Sequence, residues 1–392
     1  MSRTKYPTIV GSFVQLTMKI GIVSYICNPK SGARAPIDLA LALGHAHEIS
    51  FYAFTQNRDQ ETIERLTALG LHVKLFEKSP FPLFGSFFDF FSLLLKLRKS
   101  GVDVLSAHTT LSLLVAACVS GIPTVSTYYG TQFNVMNERF LTPNPFSFLI
   151  NIFLNAIIFA KGLLLLRLPN EVVTISKFAA QEAKRLYGRS CQHIYLGSFP
   201  HHWKNTSSRA QKSNVTTLLS VSRITPYKQF EKVIEVVNKL SKDYKDIRLT
   251  IVGSAPQPVY LRYLKTLINP PSRILTNVSE TQLISLYQES DIYATADKYL
   301  FFGMPVLEAA VFGKPTVAFN YGAANEMIQH GKTGFVANNQ EEFEAYLKLL
   351  IENRRLRNTM GRAAKLWAHN FSWEKTAKEY IKVFENLLKK HG

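Results

Sequence analysis

Short apolar runs alternate with helix-length amphipathic segments along almost the whole chain, and the alternation starts twice. Residues 18–25, 48–54, 72–76, 103–107, 124–127 and 172–176 read as strands, with helical stretches such as 62–69, 109–120 and 177–187 between them; 194–196 reads as a further short extended piece. A polar stretch then intervenes at 197–213, with Pro200, His201, His202 and Trp203. After it the pattern restarts with strands at 217–222, 248–252, 273–276, 291–295 and 316–319. Strands that alternate with helices form parallel sheets covered on both faces. The expectation is an α/β chain of two domains, at 18–197 and 216–370, joined by a linker at 198–215. A 17-residue N-terminal extension precedes them, and 371–392 form a C-terminal helix that could cross back to the first domain.

Candidate binding residues cluster where strands run into helices. The stretch 300–315 is a loop that turns into a helix. Gly303 allows close backbone approach, Pro305 suits a first helical turn, and Glu308 lies about one turn in. A helix start of this kind attracts phosphate. Arg223 and Lys228 flank the turn after the 217–222 strand, so both can reach one anion. A guanidinium offers a fork of donors and an ammonium a point charge, a pairing suited to a diphosphate. Ser279 is a suitable N-cap for a helix at 281–290. In the first half, Ser31-Gly32-Ala33 is either an ordinary turn or a place where a ligand nears the backbone. His108 and Tyr129 stand at the carboxyl ends of strands, where α/β folds place ligands.

The net charge of +18 calls for something acidic nearby: phosphorylated small molecules, an anionic membrane surface or nucleic acid. The basic residues are dispersed and no recognition helix stands out, so nucleic acid is not the expected partner. Cys27, Cys118 and Cys191 are odd in number and far apart, which fits a reducing, cytoplasmic setting without disulfides. The His201-His202 pair has no carboxylate or cysteine at metal-ligand spacing. Residues 1–17 carry Arg3 and Lys5 before a weakly apolar run broken by Ser12 and Gln15. They are not read as a cleaved signal, and Met18 is an alternative start.

Two helical regions are unusually apolar. In 79–99, six phenylalanines precede a leucine run, and Asp89, Ser92, Lys96 and Lys99 fall on one narrow polar stripe. It reads either as a buried helix or as one lying in a membrane interface, with Lys96, Arg98 and Lys99 near lipid phosphates. Region 146–168 approaches the length of a membrane span, but Lys161 and a face of Ser147, Asn151 and Asn155 favour a core helix or one dipping into lipid.

The order of motifs in the second half resembles the family 4 retaining glycosyltransferases, whose GT-B fold sets two Rossmann-like domains with parallel sheets facing across a cleft. Ser222-Arg223 with Lys228 is similar to the family's Gly-Arg-(four residues)-Lys-Gly element, with Ser222 and Gln229 in place of its glycines. Residues 251–256 resemble its Val-Gly-x-Gly-Pro strand end, 277–280 its base-binding turn, and 322–326 its Gly-Gly-x-x-Glu. Residues 302–308 resemble the end of its Glu-(seven residues)-Glu signature, and Phe371-Ser-Trp373 its C-terminal Phe-Ser-Trp. The first half matches more loosely.

The resemblance implies a hexosyltransferase acting on a nucleotide-diphospho-sugar, in which Arg223 and Lys228 hold the diphosphate as it leaves. Glu308 would bind ribose hydroxyls and Val278 the base. Phe302, Gly303, Met304 and Pro305 would present backbone to the sugar or its phosphate. Gly32, His108, Tyr129 and Asp297 are candidates for the sugar or acceptor side. No cofactor and no metal are implied, since an Asp-x-Asp motif is lacking. A lipid-linked or membrane-borne acceptor, with the protein peripheral on the inner face of the cell membrane, would draw the apolar helices and the charge together. Two positions depart from the pattern. Leu300 stands where the first glutamate of the signature belongs, eight residues before Glu308, and Tyr129 stands where the family often has histidine. Asp297 could substitute for that glutamate; otherwise donor choice or activity is altered. Alternatives are a sugar-nucleotide epimerase of the same fold and a binding protein that has lost catalysis.

Overall fold

The computed structural model describes residues 17–29, 34–56, 58–78, 85–131, 147–198 and 215–391, and the side chains of 86, 147, 148 and 151 are not among those described. Gly32, His201, His202 and most of the expected linker therefore lie outside the described residues.

Two sheets carry the chain. The first comprises β1 (Lys19–Ile26), β2 (Glu48–Phe54), β3 (His72–Phe76), β4 (Val104–His108), β5 (Thr124–Tyr128), β6 (Glu171–Thr174) and β7 (Gln192–His193), in spatial order β3-β2-β1-β4-β5-β6-β7. The second comprises β8 (Thr216–Val221), β9 (Ile247–Val252), β10 (Arg273–Leu275), β11 (Ile292–Thr295), β12 (Thr316–Phe319) and β13 (Gly334–Ala337), in order β10-β9-β8-β11-β12-β13. Strands pair in parallel in both sheets. The two orders follow the same rule: the chain steps outward from its first strand, returns, and steps out on the other side. That reversal creates a crevice at the strand ends beside β1 and β4 in one sheet and beside β8 and β11 in the other. Continuous apolar runs explain the pairing. All but two residues of β1 are buried, as expected for a parallel strand covered on both faces. The extended piece expected at 194–196 is not a strand; pairing falls on Gln192–His193 instead.

The described residues divide into two compact units. One comprises Met1–Tyr128, Leu164–Val173 and Ala377–Gly392, the other Tyr129–Leu163 and Thr174–Thr376. In the first, Val23, Tyr52, Phe54, Leu93, Leu97, Leu105 and Leu113 form a buried cluster. In the second, the amphipathic helix α7 (Phe230–Leu240) buries Phe230, Val233, Ile234 and Val237 against the sheet. Helix ends follow local chemistry. Helix α6 (Lys177–Tyr187) starts at Ser176, whose side chain accepts from Ala179 N, and stops at Gly188 in the left-handed region. Helix α9 (Glu280–Glu289) has a full capping box between Ser279 and Gln282, as the Ser279 expectation required.

For both apolar regions the fully buried alternative is the one that fails. Helix α3 (Gly85–Arg98) splits its polar stripe: Lys96 and, just past the helix end, Lys99 are exposed, and Ser92 is half-buried. Asp89 is buried, while Phe87, Phe88, Phe91 and Leu95 are exposed. The leucines at 93, 94 and 97 pack inward, and that contact decides which face turns out. Helix α5 (Ser147–Arg167) is not a core helix: Leu149, Ile150, Ile152, Phe153, Ile157 and Phe159 are exposed on it. Among the described residues, no helix is long and apolar enough to cross a membrane.

Candidate functional site

The crevice beside β8 and β11 collects most of the sequence candidates, all in one compact unit. Strand β8 ends at Val221, and the chain leaves through Ser222 and Arg223 into a 3-10 turn at Pro226–Lys228. Gly253, at the end of neighbouring β9, is required there. A Cβ at that position would collide with the Ser222 carbonyl oxygen. Gln229, where the resembled motif has glycine, holds the left-handed conformation a glycine would supply (φ 50°) and leads into α7. The unusual backbone is thus kept although the residue has changed.

Arg223 is exposed, and its guanidinium donates to the Tyr227 hydroxyl at 2.9 Å. Lys228 pairs with Asp297, which follows β11; only 14% of the lysine side chain and 7% of the aspartate is accessible. The other oxygen of Asp297 accepts from Tyr299 N at 3.0 Å, and Lys298 N donates to the Tyr227 carbonyl at 3.0 Å. A side-chain ion pair and a backbone hydrogen bond therefore join the β8 turn to the β11 loop. Asp297, a sugar-side candidate by sequence, is committed to Lys228 in this arrangement.

Below this level a tyrosine network fixes the crevice floor. Tyr293 on β11 receives a hydrogen bond from Val221 N (3.3 Å) and donates to Val221 O (2.9 Å). Burial pushes its phenol well above the ordinary range, so it stays neutral. Its ring lies 6.4 Å from that of Tyr287 on α9, and the Tyr287 hydroxyl donates to Glu308 at 2.7 Å. Glu308 sits on α10 (Met304–Val311), is 2% exposed, and has one carboxylate oxygen held in place by this contact.

The loop before α10 matches its sequence reading. Gly303 is in the left-handed region (φ 94°), Met304 and Pro305 open the helix, and both are half-buried. Leu300 is buried, and its Cδ1 lies 3.1 Å from the position a Gly303 Cβ would take. Its carbonyl accepts from Ala323 N at 2.7 Å, and a Cβ at Gly322 would strike that same oxygen. Phe302 is buried with its ring 6.2 Å from Tyr195 and 6.1 Å from Phe371. Val278 is half-buried and follows Asn277, which is also left-handed (φ 58°).

Of the remaining candidates, Tyr129 is half-buried and precedes Gly130 (φ 99°). A side chain at 130 would run into the Phe301 ring, so the turn after β5 lies directly on the 300–303 loop. His108 lies in the other unit and is buried. Its Nε2 is 2.9 Å from the Ser106 hydroxyl, and its ring is 6.1 Å from Tyr380. Burial lowers its pKa to about 3, which keeps the imidazole neutral.

Sequence reasoning missed Tyr227, Tyr287 and Tyr293, which no spacing rule singles out. It also gave Glu326 no role. The carboxylate of Glu326 accepts from Lys177 N and Phe178 N, each at 2.8 Å, and from the Tyr195 hydroxyl at 2.8 Å. It thereby fills the open donors at the start of α6. Burial and this carboxylate both push the Tyr195 phenol above its ordinary range.

Comparison with known proteins bears on the fold and the family. The profile of the family described as Glycosyl transferases group 1 matches residues 202–367, and that of Glycosyltransferase Family 4 matches residues 33–197. An uncharacterized glycosyltransferase of Haemophilus influenzae is 32% identical over 168 residues, covering 42% of this chain and 47% of its own length; the chain thus spans about half of that relative. A crystal structure of a glycosyltransferase from Rickettsia africae aligns over 95% of this chain and 99% of its own, with a TM-score of 0.72 and 20% identity. The Anabaena Alr3699/HepE structure in complex with UDP-glucose aligns over 94% and 100%, with a TM-score of 0.72 and 18% identity. These matches carry the GT-B fold, and the named relatives are glycosyltransferases, not epimerases. Two adjacent family profiles, two parallel sheets of one strand order and the motif-bearing crevice lead to one assignment: the chain belongs to the family 4 glycosyltransferases, the glycosyl transferases group 1.

Proposed function

We propose that the protein transfers a sugar from a nucleotide-diphospho-sugar to an acceptor hydroxyl, with retention at the anomeric carbon. The observation that carries this reading is the pair Arg223 and Lys228 on one turn at the crevice, with Lys228 tied to Asp297 in the loop that leads to the helix start at Gly303. In the proposed reaction the acceptor oxygen bonds to the anomeric carbon on the face from which the diphosphate departs. The carbon–oxygen bond to the diphosphate breaks, and the departing phosphate takes the acceptor proton. Arg223 and Lys228 stabilise the charge that develops on the leaving group, and no protein nucleophile is needed. Glu308, held by Tyr287, would accept from ribose hydroxyls, and Val278 would lie against the base. A related fold binds UDP-glucose, which makes a uridine nucleotide the first donor to test. The acceptor is read as lipid-linked or membrane-borne, on the exposed apolar residues of α3 and α5 and the net charge of +18.

The test is a panel of UDP-, GDP- and ADP-sugars, scored by thermal shift and then by slow hydrolysis. Stabilisation by one nucleotide class together with its hydrolysis supports transfer, and no stabilisation by any of them overturns it. A second reading, donor binding without turnover, is favoured by the buried apolar Leu300 at the position of the family glutamate. Binding with no hydrolysis and no transfer would select it.

A further inference from the structure

The edge of the first sheet carries a basic groove beside an aromatic ridge, and neither takes part in the crevice chemistry. Strand β3 is the outermost strand, and α3 reaches it through Lys96. Between them lies an open groove of about 580 Å³ lined by Val73, Lys74, Leu75, Leu95, Lys96 and Lys99. Three of these six residues are cationic and none is acidic. Lys96 Nζ donates to the Leu75 carbonyl at 3.2 Å and lies 5.4 Å from the Phe76 ring centre. Lys74 Nζ lies 3.5 Å from the Tyr52 hydroxyl. Lys99 is exposed.

The ridge is Phe87, Phe88, Phe91 and Leu95, which are 60%, 53%, 42% and 57% accessible. Positions 87, 91 and 95 are four residues apart, so they line one face of the helix. Phe87 and Phe91 touch edge to face at 4.6 Å. Leu95 belongs to both features: it ends the ridge and lines the groove. A lysine on an edge strand can simply block the addition of another strand. That role does not account for Lys99, just past the helix end, or for four exposed apolar side chains beside the lysines.

We infer that this face is a docking surface for an anionic phospholipid bilayer. The ridge enters the headgroup–acyl boundary while Lys74, Lys96 and Lys99 hold a lipid phosphate in the groove. An apolar helix face bordered by lysines has the chemistry that favours such a surface, with apolar burial and charge attraction adding together. Nucleic acid fits less well, because the ridge is a continuous phenylalanine–leucine face rather than spaced aromatic platforms along a basic track. The inference deepens the membrane-borne acceptor reading, yet it rests on residues remote in sequence from the donor motifs.

The experiment is co-sedimentation of the full chain with phosphatidylcholine vesicles, with and without phosphatidylglycerol, across a salt series. Binding is expected only with phosphatidylglycerol and should weaken as salt rises. Each of Lys74→Gln, Lys96→Gln and Lys99→Gln should lower partitioning by roughly fivefold, and the triple variant by about a hundredfold. Phe87→Ser with Phe91→Ser should abolish binding while leaving thermal unfolding and nucleotide-sugar binding in solution unchanged. Unaltered vesicle binding in the triple lysine and double phenylalanine variants would overturn the proposal, as would no vesicle binding at all or binding indifferent to phosphatidylglycerol. Vesicle binding without any nucleotide-sugar binding would remove the transfer reading and leave this surface standing. The reverse result would do the opposite.

Discussion

Lys228 and Asp297 form an ion pair that closes the gap between the loops following β8 and β11, and both side chains are largely shielded from water. The lysine assigned to the leaving diphosphate is therefore already neutralised when no donor is present. A donor phosphate has to compete with Asp297 or share the ammonium with it. The pair also holds the two loops in register, since Asp297 is anchored to Tyr299 N by its second oxygen.

Removing one partner should separate these two roles. Lys228→Ala leaves a shielded carboxylate without its cation, and we expect a loss of about 2–4 kcal/mol in urea unfolding. Adding Asp297→Asn should restore most of that stability without restoring diphosphate affinity. Asp297→Asn alone should tighten UDP binding several-fold by isothermal titration, because Lys228 is released to the anion. Weaker UDP binding in Asp297→Asn would show that positioning outweighs neutralisation.

Tyr287→Phe deletes the hydroxyl that donates to Glu308 and leaves the ring stacked on Phe312. Removing one partner of a buried hydrogen bond costs about 1–3 kcal/mol. The variant should lose stability in that range, and its nucleotide-sugar affinity should fall at least tenfold while affinity for inorganic pyrophosphate changes little. An equal loss for both ligands would mean that Glu308 does not act on the ribose.

Glu326→Ala should cost about 1–2 kcal/mol, because two backbone N–H groups at the start of α6 lose their acceptor. Hydrogen exchange should quicken at the first turn of α6 and at Tyr195 before it does elsewhere. Glu326→Gln, which keeps an acceptor but not the charge, should fall between Ala and the parent. Identical losses in the two variants would assign the effect to shape alone.

His108 gives the stability a pH dependence of known sign. Burial depresses its folded-state pKa to about 3, below the ordinary 6.5, so the unfolded chain binds the extra proton first as pH falls. Its contribution is complete above pH 6.5 and is lost as pH falls through 6.5 towards 3, with a slope of about 1.4 kcal/mol per pH unit. His47, also lowered by burial, adds to the same window. His108→Asn should flatten the acid limb of the urea midpoint against pH, and an unchanged limb would contradict the assignment.

Features encoded within one turn of chain were legible in the sequence. The Ser279 cap needs only Gln282, three residues on, and Pro305 needs only its own ring to favour a first helical turn. The two parallel sheets followed from the alternation and its restart. What could not be read were contacts set by tertiary packing. Asp297 meets Lys228 across 69 positions, and Glu308 meets Tyr287 across 21. Which face of α3 is covered could not be read for the same reason. Both faces carry apolar residues, and which one is covered depends on what packs against Leu93, Leu94 and Leu97. Gln229 is a different case: glutamine gives no hint of a left-handed backbone, and the turn geometry around it supplies one.

The last helix, α14 (Trp373–His391), bears on how the chain is made. Tyr380 is buried in the same unit as β5 and shares a 2.7 Å hydrogen bond with Thr127, 253 positions earlier; Val383, Phe384 and Leu387 are buried along the helix. During synthesis at about 5–20 residues per second, Thr127 emerges roughly 13–50 s before its partner. Over that interval the first unit lacks a wall of its core, and its parallel strands wait with apolar surface uncovered. A ribosome paused ahead of α14 would therefore hold a nascent chain that chaperones can still recognise, although every described strand has already been made.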